Sequence, residues 1–255
     1  MKPIIGVPLR YQHLSDGRCI TYMAESVRKT IIEAGGEVFA IAPVQDVDYI
    51  DTKGNEFEEL SIEEKLIINK NLDRCDGLFL PGGIKITPYD RYLLECAIKR
   101  KIPTLGVCLS MQMMSCYQED IHLEANETSI NHFQEDDDTL IHKVYLNKDS
   151  KLFEILGADE IMVNSYHKYH STRNHIYKTV AVSEDDLIEG LEYPGDFFNI
   201  GIQWHPEISY SFDENSKKII DFFIDESRLR RKKKQSVQKE KTIRTKLLIF
   251  YVFVL

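Results

Sequence analysis

The sequence predicts an α/β protein with a doubly wound, mostly parallel sheet and helices on both faces. Two observations predict it. Short apolar runs edged by Gly or Pro fall at residues 4–9, 38–42, 77–81 and 104–107, the pattern of strands buried on both sides. Segments of helical periodicity separate them, so the order reads β-α-β-α-β-α-β, as parallel crossover units require.

The first run, Ile4-Ile-Gly-Val-Pro-Leu9, opens the sheet. Met23, Val27, Ile31 and Ala34 then recur near helical spacing, and Gly35-Gly36 ends that helix. After the strand at 38–42, residues 43–60 are polar and loop-like. Ser61 with Glu64 forms a capping box and starts a helix to about Leu72. The strand at 77–81 ends in Gly82-Gly83, and a helix over 89–99 leads into the strand at 104–107. The second half has a different rhythm. Strands at 140–146 and 160–164 precede three more at 180–182, 188–192 and 198–203 that read as an antiparallel meander. Glu135-Asp-Asp-Asp138 reads as a solvated loop. Asp213 caps a last amphipathic helix with Ile219, Ile220, Phe222 and Phe223 facing inward. The catalytic domain is expected to span 1–227, followed by a basic then apolar tail, 228–255, without fixed structure.

Composition narrows the function. With 43% apolar residues, 255 residues supply a full core. Five cysteines without a Cys-x-x-Cys pair argue for reduced thiols rather than a disulfide framework or a zinc site. The start of the chain enters a strand at once and lacks the long apolar stretch of a secretory signal, so a cytoplasmic setting is expected. The net charge is −9, yet residues 228–255 hold ten Lys/Arg and one acid, leaving −18 on the rest. So acidic a body repels phosphates, which excludes nucleic acid as its partner. The nine apolar residues at 247–255 are too few to span a bilayer. Beside Arg228-Leu-Arg-Arg-Lys-Lys-Lys234 they would suit only a weak contact with an anionic membrane surface.

The chemistry concentrates in two segments. In Pro103-Thr-Leu-Gly-Val-Cys-Leu-Ser-Met-Gln112 a buried strand breaks at Cys108 and turns into a helix. The N–H groups of that helix's first turn stabilise an anion, here a thiolate, and the N–H of Leu109 points where an oxyanion would form. About a hundred residues later comes Trp204-His-Pro-Glu207. In an extended chain His205 and Glu207 share a side, so the carboxylate can hold one imidazole nitrogen while the other faces a sulfur. Pro81-Gly-Gly83 ends a strand and lets backbone N–H groups approach a ligand. His167, His170 and His175 fit no standard zinc spacing, so no metal is expected there. Cys19, Cys75, Cys96 and Cys116 read as ordinary structural thiols.

These segments carry a family likeness. Gly106-Val-Cys-Leu-Ser-Met-Gln112 resembles the Gly-x-Cys-x-Gly-x-Gln signature of class I glutamine amidotransferases, and Gly201-Ile-Gln-Trp-His-Pro-Glu207 resembles their Gly-x-Gln-x-His-Pro-Glu. Leu80-Pro-Gly-Gly83 and Val163-Asn-Ser-Tyr-His167 are most similar to the γ-glutamyl-γ-aminobutyrate hydrolase group. The resemblance implies a flavodoxin-like three-layer α/β/α sandwich and a triad of Cys108, His205 and Glu207. It also implies an oxyanion hole from the Gly83 and Leu109 backbones, a substrate wall of Gln112, Ser165, Tyr166 and His167, and no cofactor. The chain departs from the pattern in three places. Ser110 replaces a glycine, Lys168-Tyr169 replaces His-Gln, and Cys116-Tyr-Gln-Glu-Asp-Ile replaces a Gly-rich stretch.

The expected activity is cysteine-dependent hydrolysis of a small γ-glutamyl amide through a glutamyl thioester. A glutaminase subunit serving a separate synthase and a non-catalytic binding protein on the same fold are the alternatives. A homodimer and a synthase partner both stay open.

Overall fold

The computed structural model describes residues 1–45, 58–134, 136, 139–172 and 175–254, with side chains in the last helix described through Glu240 and at Thr242. Most of the loop at 43–60 and most of the acidic run at 135–138 lie outside the described residues, as do the side chains of 247–255.

The first half alternates as expected. The strands are β1 (Ile4–Pro8), β4 (Glu37–Ile41), β5 (Gly77–Leu80) and β6 (Thr104–Val107). The helices between them are α1 (Glu25–Glu33), α2 (Ile62–Arg74) and α3 (Pro88–Lys99). Ser61 and Glu64 close the capping box on α2, and Thr87 with Asp90 closes a second one on α3. Between β1 and α1 lies a short hairpin that was not foreseen, β2 (Arg10–His13) and β3 (Cys19–Tyr22). Its residues are mostly exposed or half-buried, so it carries no strong apolar pattern.

Helix α4 (Leu109–Ser115) follows β6, then β7 (Leu123–Ala125), β8 (His142–Leu146), α5 (Lys151–Leu156), β9 (Glu160–Val163) and β10 (Tyr169–Ser171). The chain ends with β11 (Lys178–Ser183), β12 (Ile188–Glu192), β13 (Asn199–Ile202), α6 (Pro206–Ser209) and α7 (Glu214–Val254). Of these, β7, α5, β10 and α6 were not foreseen either. The central sheet has nine strands in the order β4-β1-β5-β6-β13-β12-β11-β8-β9. The first five run parallel and the last four form an antiparallel extension. β7 and β10 form a separate antiparallel ribbon.

Strand alternation divides the core into two layers. Phe79 faces Val27, Ile31, Ile220 and Phe223 of α1 and α7. Its neighbours Leu78 and Leu80 face Ile68, Leu72, Leu93 and Met114 of α2, α3 and α4. The result is the flavodoxin-like α/β/α sandwich.

Helix α7 departs from the expected boundary. Asp213 caps it as read, accepting from Ser216 N at 2.8 Å. It then runs on past Ser227 without a break. The basic run has partners on the body: Arg231 Nη1 lies 2.8 Å and Lys234 Nζ 3.2 Å from the buried Asp76 carboxylate. Arg230 donates to Arg100 O. Asp76 also accepts from Ile4 N at 2.9 Å, so the base of β1 and the start of the tail share one anion. The local excess of Lys and Arg is therefore partly a clasp on an acidic body. Among the described residues no helix is long and apolar enough to cross a membrane.

Truncating the chain after Ser227 should leave Asp76 buried without its cations. The expected loss is about 1–3 kcal/mol of stability, read as a lower Tm in thermal unfolding. An unchanged Tm would mean that the clasp contributes nothing.

Candidate active site

The site begins with a register. β6 and β13 pair in parallel, with Gly106 beside Gly201 and Val107 beside Ile202. Helix α4 lies directly on this glycine pair. A Cβ on Gly106 would come within 2.6 Å of Met114 Cε, and one on Gly201 within 2.7 Å of Met114 Sδ. Only residues without side chains let the helix settle this low.

Cys108 is the hinge between β6 and α4. Its φ of 50° and ψ of −109° lie where side-chain-bearing residues are rarely found. The turn is held on both sides: Cys108 N donates to Ile202 O at 2.8 Å, and Gln112 N donates to Cys108 O. Such a conformation costs about 1–3 kcal/mol and points the thiol out of the sheet edge at the head of α4.

His205 and Glu207 meet by a different route from the expected one. β13 ends at Ile202, His205 caps α6, and Glu207 sits in that helix's first turn. A tight turn rather than an extended strand brings Glu207 Oε1 to 2.8 Å from His205 Nδ1. Asn164, at the end of β9, clamps His205 through its backbone. Asn164 Oδ1 accepts from His205 N and Asn164 Nδ2 donates to His205 O, each at 2.9 Å. Cys108 and the imidazole are neighbours across the same point above Gly82. Burial would favour a neutral ring. The charge of Glu207 and the contact with Cys108 outweigh it and raise the imidazole pKa to about 10.

Gly82 lies against both residues: a Cβ there would fall 3.0 Å from His205 Cε1 and 3.5 Å from Cys108 Cβ. The Pro81–Gly83 loop is fixed from behind by Arg10, a residue that the sequence did not flag. Arg10 donates to Gly82 O at 2.9 Å, to Pro81 O at 2.6 Å and to Ser110 Oγ at 3.1 Å, and pairs with the buried Asp90. Ser110 in turn donates to Pro81 O at 2.8 Å. The serine that replaces a glycine thus ties the nucleophile's helix to the loop.

The remaining expected residues divide. Leu109 opens α4, and Gly83 packs against its side chain. Tyr166 stands edge-on to the His205 ring, centroids 5.3 Å apart. Gln112 is buried and donates to Tyr169 O and Gln203 Oε1, and Ser165 is fully buried behind the loop. His167 turns into a buried cluster with His132 and Glu189. His170 bonds Asn126 on the β7–β10 ribbon, while exposed His175 pairs with Glu119. Lys168 lies 4.4 Å over the Phe133 ring. Burial pushes the Cys75 thiol up to about 12 and raises that of Cys96, as suits inert core positions.

Comparison with known proteins identifies the family and the fold. The Peptidase C26 model matches residues 89–207. PB2B2.05, a candidate glutamine amidotransferase of Schizosaccharomyces pombe, is 31% identical over 60% of this chain and 70% of its own. The chain belongs to the glutamine amidotransferase-like family. The γ-glutamyl-γ-aminobutyrate hydrolase of Escherichia coli O157:H7 is 24% identical over 87% of this amidotransferase-like chain and 92% of its own. The glutaminase domain of Trypanosoma brucei CTPS, solved with acivicin, shares the fold at a TM-score of 0.59. It is 17% identical, with coverage of 91% and 94%.

Two measurements test the site. Cys108→Gly relieves the positive φ, so it should unfold at a higher temperature than Cys108→Ala, by about 1 kcal/mol in stability. Equal stabilities would mean that the turn is unstrained. The second is NMR titration of histidine-labelled protein. A raised value means that the His205 imidazolium persists through neutral pH and is lost only as pH rises through about 10. Glu207→Gln removes the main charge that holds it and should bring the titration down toward 6.5, the ordinary histidine value.

Proposed function

We propose that the chain is a cysteine-dependent hydrolase that cleaves a γ-glutamyl amide through a glutamyl-thioester intermediate. The observation that carries this is the convergence of a strained Cys108, the His205 imidazole and a buried carboxylate bonded to that imidazole. The Cys108 thiolate attacks the side-chain carbonyl carbon of the glutamyl unit. The oxyanion that forms is held by the backbone N–H groups of Leu109, at the head of α4, and Gly83, on the loop that Arg10 keeps in position. Collapse breaks the C–N bond, and the His205 imidazolium gives its proton to the departing amine. The neutral imidazole then takes a proton from water, whose oxygen attacks the thioester. Glutamate leaves, and thiolate and imidazolium are restored. Glu207 keeps the ring oriented throughout.

The glutamyl group would lie against the Gly82-Gly83 backbone and the Tyr166 ring. Gln112 and Ser165 would form the wall behind them. Lys168, Phe133 and the β7–β10 ribbon stand on the side where the amine would leave. A second reading has the same chemistry with ammonia as the product, delivered to a separate synthase. The likeness to a synthase's glutaminase domain is what favours it.

A panel of glutamine, γ-glutamyl-γ-aminobutyrate and γ-glutamyl peptides tests both. Turnover of the larger amides is expected, with a fall of at least about 10³-fold in Cys108→Ala. Activity on glutamine alone would favour the glutaminase. Turnover retained in Cys108→Ala would overturn the cysteine mechanism.

A further inference from the structure

Beneath the Asn164–His167 segment lies a second cluster of polar side chains, outside the chemistry described above. It consists of His132, His142, His167 and Glu189, each nine-tenths or more buried. They come from four segments: the loop before β8, β8 itself, the loop after β9, and β12. Their candidate ligand atoms all lie within 4.8 Å of one another. Glu189 Oε1 is 3.3 Å from His167 Nε2, 3.5 Å from His132 Nδ1 and 4.0 Å from His142 Nε2.

The outward sides of the three rings decide what the inward sides offer. His132 Nε2 faces the Asp185 carboxylate at 3.0 Å. His142 Nδ1 faces Lys143 O at 3.2 Å, and His167 Nδ1 faces Tyr169 O at 3.0 Å. His132 Nε2 and His142 Nδ1 face acceptors, and His167 Nδ1 has Tyr169 O nearer than Asn126 Nδ2, which lies at 3.3 Å and donates to His167 O; a proton on each outward nitrogen then turns a lone pair inward. Three lone pairs and a carboxylate then point at one another. Among the described residues His132 Nδ1, His142 Nε2, His167 Nε2 and both Glu189 oxygens have no hydrogen-bond partner. A buried carboxylate without partners is costly, and so is the convergence of four acceptors. A cation at their centre removes both costs.

We propose that His132, His142, His167 and Glu189 form a structural site for a divalent transition-metal ion, with zinc as the best fit. Three imidazoles and one carboxylate are a closed four-ligand zinc set. Zinc–ligand bonds of about 2.0–2.1 Å give tetrahedral edges of about 3.3–3.4 Å, close to the shorter separations here. Magnesium and calcium ask for an all-oxygen shell, and copper(II) for a tetragonal one. The outer acceptors supply the usual second layer, with Asp185 completing a carboxylate–histidine–metal relay. Glu189 and Asp185 together balance the charge of one divalent ion. The site's work is mechanical. It joins β8 and β12 to the segment whose Asn164 grips His205. The sequence hid it because its ligands come from four separate segments and share no short motif.

The test uses the full-length chain. Purified without chelator, it is expected to carry about one zinc ion per chain by elemental analysis, and after stripping to bind Zn²⁺ or Co²⁺ again by calorimetry. Bound cobalt should show the visible bands of a tetrahedral nitrogen–oxygen site, without the near-ultraviolet band of a cysteine ligand. Cys108→Ala should keep this stoichiometry, and Glu189→Gln and His142→Gln should each weaken binding by at least about 100-fold. Should those variants not fold, the wild-type chain decides: stripping is expected to lower its Tm and Zn²⁺ to restore it. A folded wild-type chain that takes up neither ion overturns the proposal and leaves the cluster a hydrogen-bonded network. So does uptake that disappears in Cys108→Ala and survives in His142→Gln.

Discussion

The parallel pairing of β6 with β13 is the constraint on which the site depends. Strands far apart in sequence lie side by side, and the bond from Cys108 N to Ile202 O is the last rung of their ladder. Beyond that rung one strand turns into α4 and the other into α6. Because parallel strands finish at the same edge, the sulfur and the imidazole emerge together. Sliding the register by one residue would turn every side chain of β13 to the opposite face. The glycine pair Gly106 and Gly201 ties the same register to the seat of α4, so sheet and helix cannot shift independently.

Around this edge, charge is paired inside the protein rather than left to solvent. Arg10 meets Asp90, whose carboxylate also caps α3. One anion thereby links the start of a helix, the hairpin after β1 and the Pro81–Gly83 loop. On the opposite side Glu207 balances His205, and Thr30 of α1 donates to Glu207 O at 3.0 Å. The Pro81–Gly83 loop, His205 and Glu207 are thus each held by a residue of another element, Arg10, Asn164 and Thr30. Rigid support of this kind suits a site whose geometry must be set before a ligand arrives.

What the sequence disclosed follows from how local each signal is. The parallel half was legible because each unit carries its own caps and apolar run, as at Ser61 and Glu64. The turn at Cys108 was legible for the same reason: strand, small residues and helix are contiguous. The partnership of His205 with Glu207 was foreseen but its geometry was not, since Pro206 starts a helical turn where an extended strand was expected. Arg10 was invisible because its partners lie some seventy to a hundred positions away. The basic run after Ser227 looked detached because composition records an excess of charge and not the buried Asp76 that answers it.

The close fit of Gly82 against both Cys108 Cβ and the imidazole has a further consequence. Bond-breaking parts packed to van der Waals contact leave no latitude for variation, since a single added carbon would collide with the ring. Choice between one amine and another must then be made elsewhere. On the proposed function that choice falls to the ribbon of β7 and β10, with Lys168 and Phe133 beside it. Gln112 and Ser115 of α4 donate to Tyr169 O and Ser171 Oγ of that ribbon, so the rim that would choose is hinged directly to the helix that carries the thiol.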